Sequence, residues 1–120
     1  MFGLPRETKL DFLIGCELLQ MAVGEFQLIL HFSHSVDLSV ESKLELKASA
    51  DSVSLIWEPK RLSDLARFAT IVGLSVTDYE IPGDGRLILH FGNGGVLTAY
   101  DSNKDHESYQ VTRGSETFIV

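Results

Sequence analysis

Five residues, Leu28-Ile29-Leu30-His31-Phe32, return unchanged as Leu87-Ile88-Leu89-His90-Phe91, 59 positions further along the chain. Downstream at the same offset Leu38-Ser39-Val40 aligns with Leu97-Thr98-Ala99, and upstream, at an offset of 58, Ile14-Gly15 aligns with Val72-Gly73. Between these anchors Cys16, Leu18, Met21 and Val23 correspond to Leu74, Val76, Tyr79 and Ile81. Self-similarity at a fixed spacing marks a duplicated structural unit, so whatever one copy folds into, the other must be able to adopt. In both copies apolar residues alternate, slip by one position and alternate again, which is how a β-bulge reads in sequence. The extra residue of the second copy falls in Pro82-Gly83-Asp84-Gly85, a turn that tolerates insertion.

Each copy reads as three antiparallel strands. In the first they cover about 16–23, 26–32 and 36 onward, with a turn at Gly24-Glu25. Alternation with period two puts Leu28, Leu30 and Phe32 on one face and Ile29 and His31 on the other, and Leu87, Leu89 and Phe91 likewise point inward. Gly92-Asn93-Gly94-Gly95 is a strong hairpin signal because Asn-Gly accepts positive φ, whereas Ser33-His34-Ser35 is a weaker one.

Between the copies Leu44, Leu46 and Ala48 alternate with Glu45 and Lys47, and Val53, Leu55 and Trp57 alternate with Ser54 and Ile56, so further strand is expected there. Pro59 suits a helix start and Gly73 its stop. On a 3.6-residue period Leu62, Leu65, Ala66, Phe68, Ala69 and Val72 share one face, opposite Ser63, Asp64, Arg67 and Thr70, and Ile71 falls outside the apolar face. After the second copy a polar loop leads to a final hairpin, 108–112 and 117–120, turning at Arg113-Gly114. The expected class is α+β: mainly antiparallel sheet from two repeated three-stranded meander units with one amphipathic helix between them. A chain of 120 residues is expected to form a single domain, 1–120, with repeat unit one at about 14–40, the helix at about 59–72 and repeat unit two at about 72–100. At that size a hydrophobic core suffices without disulfides, and the lone Cys16 has no partner to form one.

Ten Lys and Arg stand against 17 Asp and Glu, a net charge of −7 spread evenly over both halves with no polybasic run. Nucleic-acid binding relies on clustered cations, so this balance disfavours it. An acidic surface favours solubility and steered encounter with a basic partner. Aliphatic runs such as Leu28-Ile29-Leu30 are far below the ~20 residues a membrane span needs, and the N-terminal residues lack signal-peptide order. The expected compartment is the cytoplasm.

Chemistry-bearing residues are few. His31 and His90 occupy equivalent positions, and a pseudo-twofold arrangement would bring them together; His31-x-x-His34, with Asp37 or Cys16, would be the nearest thing to a metal set, though the spacing matches zinc sites poorly. Cys16 sits on an alternating apolar face with no basic neighbour in sequence, as a buried thiol would. Trp57 suits either an interface anchor or the core. No catalytic, cofactor-binding or metal-binding residue is assigned and no cofactor is implied; His31, His90 and Trp57 are the candidate site residues.

Val72-Gly73, Val76, Leu87-Ile88-Leu89-His90-Phe91, Asn93-Gly94 and the later Ser108-Tyr109 resemble the pattern of a family of small uncharacterised bacterial proteins. Ser33-His34-Ser35 departs from it, standing where the family has a Gly turn. The resemblance implies a β-rich fold and no catalytic residues, and the general character is similar to toxin-immunity proteins. The expected function is a non-enzymatic binding or structural module, immunity-like, meeting a basic protein through an acidic surface. The alternative is a small enzyme or ligand-binding protein with a cleft between the repeat units. A homodimer burying a sheet edge is a further expectation; nucleic acid and membrane are not expected partners.

Overall fold

The computed structural model describes residues 8–47, 54–59, 65–101 and 108–119. The first copy forms β1 (Leu18–Val23), β2 (Leu28–Phe32) and β3 (Val36–Val40), followed by β4 (Leu44–Lys47) and β5 (Leu55–Trp57). A short helix α1 (Leu65–Phe68) tightens into a 3₁₀ turn over Ala69–Ile71 and leads into β6 (Val76–Glu80), β7 (Leu87–Phe91) and β8 (Val96–Ala99). The chain then forms β9 (Tyr109–Arg113) and β10 (Glu116–Ile119), the hairpin expected at the C-terminus.

The duplication is present in three dimensions, bulges included. In the first copy Leu18 faces Phe32 and Gln20 faces His31, leaving Leu19 as the extra residue. In the second Val76 faces Phe91 and Asp78 faces His90, leaving Thr77. Leu28 and Leu30 lie opposite Val40 and Leu38, and Leu87 and Leu89 opposite Ala99 and Leu97.

The correspondence runs further than three strands. The first sheet has the order β1-β2-β3-β9-β10 and the second β5-β4-β8-β7-β6. Each meander is therefore completed by the last hairpin of the other copy: Leu38 and Val40 pair with Val111 and Tyr109, while Leu97 and Ala99 pair with Leu46 and Leu44. Leu44 and Tyr109 are thus equivalent, 65 positions apart, and the additional residues lie in the crossover after Tyr100. The inner faces of both sheets meet in one apolar core that includes Leu30, Leu46, Trp57, Leu89 and Val111.

A second link joins the copies at their other ends. Gly15 N–H donates to Val76 O (2.8 Å) and Gly73 N–H to Leu18 O (2.8 Å); Leu18 N–H donates to Leu74 O (2.9 Å) and Val76 N–H to Cys16 O (2.9 Å). Adding 58 to one half of each pair returns the other, and Glu17 faces Ser75, its own counterpart. The pseudo-twofold axis passes between those two residues. Gly15 and Gly73 hold φ of +90° and +96°, a region that side chains with a Cβ rarely adopt, and so turn the chain out of a 3₁₀ turn into this pairing.

One expectation about the helix needs correcting. Residues 60–64, with Leu62, Ser63 and Asp64, lie outside the described residues, but 65–72 do not follow a 3.6-residue face. Phe68 and Ile71 are buried, Leu65 is half-buried, Ala66 and Ala69 are exposed, and Val72 is 41% exposed. The reason is the 3₁₀ geometry, whose three residues per turn align positions i and i+3. Leu10 and Leu13, buried around the equivalent 3₁₀ turn Asp11–Leu13, repeat the pattern 58 residues earlier. Each sheet's apolar face is covered chiefly by the other's.

Substituting Ile71→Ala removes a fully buried side chain and is expected to cost about 2–5 kcal/mol, whereas Val72→Ala should stay within about 0.5 kcal/mol in chemical denaturation. The Ser33-His34-Ser35 turn is strained relative to its glycine-rich counterpart, with φ of 64° at His34 and 60° at Ser35. Replacing this pair by Asn-Gly (His34→Asn with Ser35→Gly) is expected to raise stability by about 0.5–1 kcal/mol, read as a higher unfolding midpoint.

Candidate functional site

His31 and His90 are equivalent in register but do not converge. Each sits on the strand face opposite the buried leucines, so the two rings stand on the outer faces of different sheets. Their partners have diverged as well. His31 Nδ1 meets Asp37 Oδ1 on β3 at 2.7 Å, while His90 Nε2 meets Glu80 Oε2 on β6 at 2.6 Å. The position equivalent to Asp37 is Val96 and that equivalent to Glu80 is Ala22, so neither pair has a counterpart in the other copy.

The remaining candidates separate too. Trp57 is 1% exposed in the core, and its indole Nε1 has no hydrogen-bond partner among the described residues. Its full burial places the ring in the core rather than at a surface that a partner could reach. Cys16 is buried on the inner side, its thiol donates to Phe12 O at 3.1 Å, and burial raises its pKa against the opposing effect of a Ser33 hydrogen bond. His34 is exposed in its turn, and His106 lies outside the described residues. Among the described residues no three His, Cys, Asp or Glu side chains converge to hold a metal ion.

One cluster of charge does form, along β6. This strand is the margin of the second sheet, and its side chains Asp78 and Glu80 are exposed. Beside them the half-buried Tyr79 hydroxyl donates to Asp11 Oδ1 (2.7 Å) and accepts from Leu10 N–H (3.0 Å). Its pKa is raised, first by burial and then by the carboxylates of Asp11 and Asp78. The strand and the N-terminal 3₁₀ turn together place Asp11, Asp78 and Glu80 on one edge. Within the described residues no Lys or Arg forms an ion pair with any of the three.

A second polar node lies at the crossover between the sheets, and no sequence motif announced it. Tyr100 OH donates to Glu45 Oε1 at 2.7 Å, Lys43 Nζ stands 4.6 Å from the Tyr100 ring centroid, and Ser108 Oγ donates to Asp101 Oδ1 at 2.7 Å. Tyr109, buried beneath, donates to Gly85 O at 2.7 Å. These contacts exist because β4 and β9 each leave their own copy, a crossing that local periodicity does not encode.

The chain matches the family of unknown function DUF6188 over residues 10–120. It belongs to that family. No curated protein and no solved structure matches it. The matched span opens at Leu10, the first residue of the 58-residue correspondence described above. The family has no stated function, so no role passes from it to His31, His90 or Trp57. No helix among the described residues is long and apolar enough to cross a membrane.

The Tyr100–Glu45 bond links the fold to pH. The hydroxyl hydrogen bond lowers the Glu45 pKa from its ordinary 4.5, against the effect of burial, and Ser54, Lys43 and Lys47 add to the lowering. The same bond, with burial, raises that of Tyr100 from 10.0. The Glu45 contribution is therefore present above pH 4.5 and lost as pH falls through the folded-state value; the Tyr100 contribution is intact below pH 10.0 and lost as pH rises above it. Glu45→Gln is expected to cost about 1 kcal/mol at neutral pH and to flatten the acid limb of stability against pH, measured by urea unfolding across the range.

Proposed function

We propose that this protein is a non-enzymatic binding module that receives a basic protein partner along the acidic margin of its second sheet, as an immunity protein caps a toxin. The observation that carries this reading is the alignment of Asp11, Asp78 and Glu80 on one terminal strand and its adjoining turn, with no Lys or Arg ion-paired to them among the described residues. Carboxylates on a sheet margin that no Lys or Arg among the described residues neutralises suit an extended segment rich in Lys or Arg, because the strand adds backbone hydrogen bonds while the carboxylates select charge. The net charge of −7 extends that attraction beyond contact distance.

The arrangement of the remaining groups supports binding over catalysis. The two histidine–carboxylate pairs stand on outward faces of different sheets, and the space between the repeat units, where a cleft would lie, is filled by apolar side chains.

Affinity capture from the native host, followed by mass spectrometry, is expected to return a basic protein whose binding weakens with added salt. The triple change Asp11→Asn, Asp78→Asn and Glu80→Gln should raise its Kd by about tenfold or more while leaving the circular dichroism spectrum unchanged. Unchanged affinity in that variant, or turnover of a metabolite by the purified chain, would overturn the reading.

A further inference from the structure

The duplication supplies an internal control for the other margin. β1 is the strand equivalent to β6, yet where β6 carries Asp78 and Glu80, β1 carries Gln20 and Ala22, and no residue of Leu18–Val23 is charged. Terminal strands are normally blunted by charge, brevity or a covering element, because an open edge is a template for pairing. The other margins obey this rule. β10 carries Glu116, and β5 spans three residues and packs against α1. β1 does not. Leu19 (54% exposed) and Val23 (51%) lie on it, and Phe26, in the turn that follows, is exposed as well. Ile14 and Val72, the remaining exposed large apolar residues, flank the junction from which β1 departs.

The backbone of β1 is also arranged for pairing. Gly24 N–H donates to Gln27 O, so by antiparallel alternation Ala22 and Ile29 form the next hydrogen-bonded pair, and the N–H and C=O groups of Met21 and Val23 point away from β2. We infer that β1 is a homodimerisation edge, pairing antiparallel with β1 of a second copy to join the two first sheets across a twofold axis near Ala22. The occupant is a second copy because of charge. Two chains of −7 repel one another, and β1 is the long margin at which they meet without placing carboxylates side by side, whereas β6 against β6 would stack them. A register centred on Ala22 sets Met21 of one copy beside Val23 of the other, so that their outward backbone groups pair, clear of Leu18, whose edge Gly73 and Leu74 of the same chain already hold. The molecule already joins equivalent strands in this way, antiparallel about a twofold axis, where Glu17 meets Ser75.

Light scattering on the full chain over a dilution series is expected to give twice 13.3 kDa at high concentration. The paired change Gln20→Asp and Ala22→Glu installs on β1 the residues that β6 carries, and should raise the dimer dissociation constant by about tenfold or more. Removing the β6 charges with Asp78→Gln and Glu80→Ala should leave the mass unchanged. Amide hydrogen exchange on the unaltered chain gives an answer that needs no variant: Met21 and Val23 should be protected in concentrated protein and lose that protection on dilution. A monomeric mass throughout, a dimer indifferent to the paired change, or exchange at Met21 and Val23 independent of concentration would each overturn the inference; the last, with slow exchange, would mean that the chain's own residues cover the strand.

Discussion

The four backbone hydrogen bonds between residues 15–18 and 73–76 are the constraint on which the rest of the architecture depends. They relate the two copies by a rotation, and once that rotation is set the positions of both 3₁₀ turns, both bulges and both sheets follow from it. Glycine at 15 and 73 is the local condition, because the chain must leave a tight turn with positive φ and enter an extended pairing at once. At the opposite end the exchange of β4–β5 for β9–β10 closes the structure, with Glu41 N–H donating to Ser108 O and Tyr100 N–H to Lys43 O as the chain changes sheets. Held at both ends, the apolar faces have no option but each other.

How much of this could be read from the residues depended on what kind of signal carried it. The meanders were legible because alternation with period two is local, and the identity of residues 28–32 with 87–91 anchored the register. The exchanged hairpins were not legible as a repeat: Leu44 and Leu46 correspond to Tyr109 and Val111, which share only apolarity, and the offset has moved from 58 or 59 to 65. The helix face was misplaced because a 3.6-residue period was carried through a last turn, Ala69–Ile71, that winds at three, which made Ile71 an exception when it is an anchor. Of the site, the equivalence of His31 and His90 was visible, but their carboxylate partners sit on different neighbouring strands. Tyr100 and Glu45 lie 55 positions apart and meet through a crossing that no local pattern encodes.

Duplication followed by divergence also explains where function can reside. Core positions of the two copies are constrained in the same way and have stayed alike, whereas the margins are free to differ. One has become acidic around Tyr79 and the other has become neutral and apolar around Leu19. The resulting asymmetry is confined to the strand edges and outer faces, the surfaces on which recognition is built without disturbing the interior.

The exchange of hairpins has a consequence for synthesis. While the N-terminal half emerges from the ribosome, β3 has no neighbour on one side until Tyr109–Arg113 has been made, and β4 waits likewise for β8. Neither sheet can be completed by one half alone, so the nascent chain carries an open ribbon through most of its translation. A stalled or truncated product would expose that ribbon to neighbouring chains, and quality control would meet this protein as an all-or-nothing object.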